Sequence, residues 1–182
     1  MGSPVSLAHA KSNSRVSCWL EFYAAATPGL ETGTGASVIL DRDNEYQPDV
    51  FLRIVPERGG QTELTEQKYI VGAPALVVEV SLSSLSHDLH EKLAVYRRSG
   101  VREYIVWALR DREIRWFNFE SGDEALLAPN RSGLTSSRVF SGLWLDTGAL
   151  VAGNMKKVLA VVRKGLSMPE HAAFVNKLSA AK

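Results

Sequence analysis

The chain has 182 residues, 45% hydrophobic and 23% charged, the proportions of a globular protein that buries roughly two thirds of the surface its unfolded chain exposes. Twenty-one Lys and Arg against twenty Asp and Glu leave a net charge of +1, which excludes a globally basic nucleic-acid binder, so a phosphate ligand needs local clustering of basic groups. The lone Cys18 excludes an internal disulfide and a cysteine zinc site and fits a reducing cytoplasm; no apolar run nears the ~20 residues of a membrane span, and the opening residues lack the form of a signal peptide.

Residues 5–25 place Leu7, Val16, Leu20 and Phe22 among polar neighbours and read as an amphipathic helix, stopped by Pro28-Gly29. "ASVILD" (36–41) reads as a short strand and "RDNE" as a turn. "PDVFLRIV" (48–55) is a second strand, and the two are expected to form a hairpin. Residues 56–73 read as loop. "ALVVEVSL" (75–82) is short, continuous and β-branched, the mark of a central buried strand. "SSLS" then supplies hydroxyl caps, and Asp88 stands in the first turn of a helix, where the dipole favours an anion. That helix runs to Ser99 and stops at Gly100. "REYIVWAL" (102–109) reads as another buried strand, and "REIRWFNFE" as an outer one. A loop rich in Ser, Gly and Pro follows, then "VFSGLWLDTGALV", short strand or irregular structure. Two helices, "NMKKVLAVVRKGL" and "PEHAAFVNKLSAA", close the chain. The order α-β-β-β-α-β-β-α implies a mixed central sheet flanked by helices, in the α/β or α+β class. We expect a single domain over 1–182, with 155–182 a C-terminal helical extension.

Two charges stand where burial is expected. Glu79 interrupts the apolar strand and shares a face with Val77 and Ser81, while Val78 and Val80 point the other way. On the following helix, Leu85, Leu89, Leu93 and Tyr96 fall within about 80° of one another at 100° per residue, and Lys92 flanks that arc. His90, Ala94, Arg97 and Arg98 take the solvent side. A helix that follows a strand through a short loop packs back onto it, so Lys92 is expected near Glu79. As structure alone this is a buried or snorkelling ion pair of doubtful stabilising value. Asp49, at the start of "PDVFLRIV", would add a second carboxylate. Two acids and a lysine suit a hard divalent cation that keeps most of its waters and binds phosphate oxygen.

"QPDVFL", "APALVVEVSLSSLSHDLHEKLAVYRRSGVREYIVW" and "VFSGLWLDTGALV" closely resemble the Uma2 family, restriction endonuclease-like proteins of the PD-(D/E)xK nuclease superfamily that are abundant in bacteria. The resemblance covers residues 5–155, and its specificity lies in the ordered series Pro48-Asp49, Glu79-Val80, Asp88-Leu89, Lys92, Tyr96, Gly100-Val101 and Glu103-Tyr104. It implies a restriction endonuclease-like core and a metal-dependent endonuclease that hydrolyses DNA phosphodiester bonds with Mg²⁺ or Mn²⁺. Asp49 and Glu79 match the metal-binding acids, with the Val80 carbonyl a further ligand. In the simplest form of the superfamily motif the lysine stands where this chain has Ser81; here Lys92, on the helix, takes that place. Ser81, Asp88 and Tyr96 match supporting positions, with packing favoured for Tyr96. Family members begin with a segment like "YELIDGE", whose early glutamate joins the site. This chain starts after that point, which implies either truncation or an impaired member. It also implies an open sheet edge that favours a homodimer. The alternatives are therefore a DNA-binding or regulatory module that has lost hydrolysis, and a structural homodimer in which Glu79–Lys92 is only an ion pair.

The four histidines show no metal-ligand spacing, although His87 and His90 stand near the site in sequence. Arg97-Arg98, Lys156-Lys157 and Arg163-Lys164 read as solvated faces, with phosphate contacts only if they line the entrance. Trp107 and Trp116 read as core.

Overall fold

The computed structural model describes residues 6–120 and 124–181. Its centre is a pair of fully buried strands, β7 (Leu76–Ser81) and β8 (Glu103–Ala108). They run parallel, from Leu76 opposite Glu103 to Ser81 opposite Ala108. Parallel neighbours need a crossover, and the segment between them supplies a helical one: α2 (Leu85–His87), a π-helical turn (Asp88–Lys92) and α3 (Leu93–Arg98). Gly100, at φ 96°, ends it. β4 (Val50–Ile54) lies antiparallel on the other side of β7, with Val50 opposite Val78, and β1 (Leu30–Gly33) lies outside β4. β9 (Glu113–Asn118) and β10 (Ala125–Leu126) extend the opposite flank. The sheet order is β1-β4-β7-β8-β9-β10, a mixed sheet in an α/β fold.

Both faces are covered, which is why the central strands read as unbroken apolar runs. Leu76, Val78, Val80, Ile105, Trp107 and Trp116 face α1 (Leu7–Ala25) and the C-terminal helices. Val77, Tyr104, Val106 and Phe117 face Leu93 and Tyr96 of α3. The α1 stripe differs from expectation at its margins. Val16, Trp19, Leu20 and Tyr23 are buried, whereas Leu7 is 70% exposed and Phe22 is half-buried beneath the Arg163 guanidinium.

The expected hairpin between 36–41 and 48–55 does not form. β2 (Val38–Ile39) pairs with β3 (Glu45–Tyr46) and β6 (Ile70–Val71), and β5 (Glu63–Leu64) completes a separate sheet of order β3-β2-β6-β5. Five consecutive buried residues in β4 need partners on both sides, and β1 and β7 provide them. The polar "LETG" of β1 conceals its strand character. The stretch 56–73, expected as loop, holds a 3₁₀ turn (Pro56–Arg58) as well as β5 and β6.

β11 (Leu134–Ser136) and β12 (Trp144–Asp146) form a ribbon, followed by α4 (Thr147–Val151), α5 (Met155–Leu166) and α6 (Pro169–Ala180). Buried Glu103 ties the ribbon to the sheet, accepting hydrogen bonds from Trp116 Nε1, Asn118 Nδ2, Ser137 Oγ and the backbone N–H groups of Arg138 and Val139. α6 is fastened by His171, whose Nε2 lies 2.9 Å from Thr27 Oγ1. α5 meets the loop before β12 so closely that a Cβ on Gly165 would lie 2.0 Å from the Gly142 carbonyl oxygen. Among the described residues no helix is long and apolar enough to cross a membrane.

Candidate active site

Strand alternation turns Glu79 toward the α3 face, and the β4–β7 register decides its neighbour. Val50 stands opposite Val78, so the next residue outward, Asp49, is level with Glu79. Asp49 Oδ2 accepts a hydrogen bond from the Val80 N–H at 2.7 Å. A strand residue's N–H and C=O leave on the same side, so the Val80 carbonyl also leaves β7 toward Asp49.

The crossover helix brings the third group. Lys92 Nζ lies 3.0 Å from Glu79 Oε2 and 3.1 Å from Asp88 Oδ1, with the lysine side chain 18% exposed. A regular α-helix leaves Lys92 at the edge of the apolar arc. The π-helical turn from Asp88 to Lys92, with its wider i→i+5 winding, brings both charged side chains to the sheet side. Tyr96 donates to Glu79 Oε1 at 2.8 Å, so it does more than the packing expected of it. Ser84 Oγ donates to Asp88 Oδ2 at 2.6 Å, and Ser81 Oγ lies 3.3 Å from Ser84 Oγ. The Tyr104 hydroxyl donates to the Asp88 backbone carbonyl. Asp88 thus faces inward, toward Lys92 and Ser84. It is 1% exposed, and its Oδ1 meets only the nearby ammonium, without hydrogen-bond geometry.

Burial pushes the Glu79 carboxyl up to about 7, against the opposing pull of Lys92 and Tyr96. Burial depresses the Lys92 ammonium, but Glu79 and Asp88 beside it outweigh that and hold its pKa above the ordinary lysine value. Burial and the adjacent Glu79 raise the Tyr96 phenol, which keeps it a hydrogen-bond donor.

Asp49, Glu79, Val80 and Lys92 line one open cavity of about 330 Å³, together with Ser6 and His9 at the start of α1. A larger groove of about 730 Å³ runs along α6 and contains none of these residues. The cavity with converging carboxylates and a perturbed glutamate is the stronger candidate for chemistry. Among the described residues no group of three or more His, Cys, Asp or Glu is placed to hold a metal ion. Two carboxylates and a backbone carbonyl nevertheless suit a hard cation that keeps several waters.

The histidines nearest in sequence are not at the site. His87 Nδ1 lies 2.8 Å from Glu91 on the exposed side, and His90 is exposed. Sequence reasoning missed His9, whose Nε2 lies 3.2 Å from Asp49 Oδ1, and Asn13, whose Nδ2 donates to the same oxygen at 3.5 Å. Their i, i+4 spacing marks one polar face of α1, but nothing local says that this face meets β4. The basic pairs lie away from the cavity. Arg97 approaches Glu124, Arg98 donates to Asn44, Lys157 pairs with Asp146, and Arg163 covers Phe22.

The Uma2 family, described as "Putative restriction endonuclease", matches residues 1–148. No curated protein matches. Among solved structures, the chain is similar to one described as "a putative nuclease belonging to DUF820 from Anabaena variabilis". The two share 12% identity over 82% of this chain and 84% of that one, with a TM-score of 0.56. At that identity the likeness is one of fold.

Proposed function

The chain belongs to the Uma2 family, and on that premise we propose that it is a metal-dependent nuclease of the PD-(D/E)xK type that cuts DNA phosphodiester bonds at the 330 Å³ cavity. The family description and the shared fold support a nuclease. One observation carries the finer reading: Asp49 and Glu79 stand level on neighbouring strands, with the Lys92 ammonium 3.0 Å from Glu79.

The donor set suits a divalent cation by charge as well as by chemistry. Glu79 and Asp88 share the Lys92 ammonium and Asp49 stands level with Glu79, so three carboxyl groups and one lysine leave a surplus of two negative charges when all are ionised. Burial raises the pKa of Glu79 in spite of Lys92 and Tyr96, and the nearby Asp49 adds to the rise, so a further cation at the site would favour its ionised form. Asp49, Glu79 and the Val80 carbonyl would hold Mg²⁺ or Mn²⁺, which when bound polarises the phosphate and stabilises charge developing there. Lys92 stands where it can orient an attacking water and neutralise charge on a phosphate oxygen. Asp88 and Tyr96 fix the two partners of that pair, Asp88 beside the ammonium and Tyr96 on Oε1 of Glu79. Ser84, backed by Ser81, steadies Asp88.

Mn²⁺ titration and plasmid cleavage test this reading with the parent and with Asp49→Asn, Glu79→Gln and Lys92→Met. The parent is expected to bind Mn²⁺ and nick DNA; the two acid variants are expected to lose both activities, and Lys92→Met only cleavage. A parent that binds no metal and leaves DNA intact refutes it. A second reading, a DNA-binding or regulatory module without hydrolysis, draws on the fact that both Glu79 oxygens already have protein partners. DNA binding without cleavage, at equal affinity in the parent and Lys92→Met, would favour it.

A further inference from the structure

Asp49 is held from two directions. Its Oδ2 takes the Val80 N–H of the central sheet, and its Oδ1 faces His9 Nε2 at 3.2 Å and Asn13 Nδ2 at 3.5 Å, both from α1. A carboxylate has about four lone-pair sites, two on each oxygen, so these three contacts leave Oδ2 free to meet one more partner from the cavity. The His9 side chain is about one fifth exposed and lines that cavity beside Asp49, Glu79 and Lys92. α1 is itself anchored by buried Trp19, Leu20 and Tyr23, with Trp19 Nε1 donating to the Trp144 carbonyl. His9 therefore projects from a rigid element onto a residue at the mouth of a strand.

We propose that His9 is a positioning residue of the site: its imidazole fixes the orientation of the Asp49 carboxylate from the α1 side and so sets the affinity of the cavity for a divalent cation. The proposal rests on the nuclease reading above. Without His9, Asp49 keeps the Val80 N–H on Oδ2 and only the longer Asn13 contact on Oδ1, and can pivot to present its oxygens elsewhere. Groups that orient metal-binding side chains in this way typically change metal affinity by roughly 10–100-fold when removed. Asn13 faces the same oxygen from farther away and acts as an auxiliary.

The test compares the full chain with His9→Ala and His9→Gln; in the latter, the amide nitrogen reaches the Nε2 position and keeps a donor. Calorimetric Mn²⁺ affinity at about pH 8 is expected to fall roughly tenfold or more in His9→Ala and largely to return in His9→Gln, with unchanged urea midpoints. In an Asp49→Asn background, His9→Ala is expected to change nothing further. His9→Ala protein that binds Mn²⁺ like the parent overturns the proposal, as does a loss that glutamine fails to rescue. A metal-free arm reads the ¹⁵N spectrum of the His9 ring, expected to show the proton on Nε2 and a changed tautomer population in Asp49→Asn. Indifference of the ring to Asp49 overturns the role of His9 and leaves the nuclease reading standing. A parent with the expected tautomer but no Mn²⁺ affinity overturns the nuclease reading, and with it the purpose assigned to His9.

Discussion

Replacing Lys92 with methionine keeps the length of the side chain and removes the ammonium that lies 3.0 Å from Glu79 and 3.1 Å from Asp88. Both acids are almost completely buried, at 4% and 1% exposure. Removing one member of a buried pair typically costs about 3–5 kcal/mol, because the remaining charge is left without compensation. The loss must depend on pH. The folded-state pKa of Glu79 is already raised from 4.5 to about 7. The stabilising contribution of its proton is therefore fully present below about 4.5 and fades as pH rises through about 7. That span is worth roughly 3 kcal/mol at 1.36 kcal/mol per unit. Without Lys92 the folded-state pKa rises further, so the stability of the variant falls more steeply between about pH 5 and pH 8. Urea unfolding at those two values should show the full loss at pH 8 and roughly half of it at pH 5, where a protonated Glu79 needs no cation. Adding Glu79→Gln should recover about 2 kcal/mol at pH 8 by removing the stranded charge. An equal loss at both pH values, or a double variant less stable than Lys92→Met, would refute the reasoning.

Tyr96→Phe leaves Glu79 Oε1 without its donor and should cost about 1–2 kcal/mol in urea unfolding; an unchanged midpoint would return Tyr96 to a packing role. Glu103→Gln sets an amide NH₂ against donors that now converge on a carboxylate. It should destabilise by roughly 2–4 kcal/mol and loosen the β11–β12 ribbon, seen as faster hydrogen exchange there. Gly165→Ala forces a methyl onto the Gly142 carbonyl, a backbone atom that cannot rotate away. It should cost about 1–3 kcal/mol, read as a lower melting temperature.

The central strands were legible because burial on both faces writes itself as unbroken runs of Val, Ile and Leu. The convergence of Glu79 and Lys92 was legible too, since strand alternation and helix periodicity are local and each points to the shared face. The partners of β4 were not, because strand pairing is settled by which edges compete in space. "ASVILD" was nearer in sequence than "LETG", yet β1 took the place beside β4. A helical wheel at 100° per residue cannot show a π-helical turn, so Asp88 looked like a cap and Lys92 like a margin residue. His9 escaped notice for the simplest reason: forty positions and a long helix separate it from Asp49.

The wide turn between α2 and α3 lets one crossover obey two masters. Its second half is phased to the sheet through Leu93 and Tyr96, while its first half presents Lys92 to the cavity with buried Asp88 beside it. One surplus residue wound into the helix absorbs the mismatch. The end that carries Lys92 can therefore be re-aimed by gaining or dropping a single residue there, while the hydrophobic seating of the other end keeps its registry. Aiming that side chain and preserving the core become separate problems within one short segment.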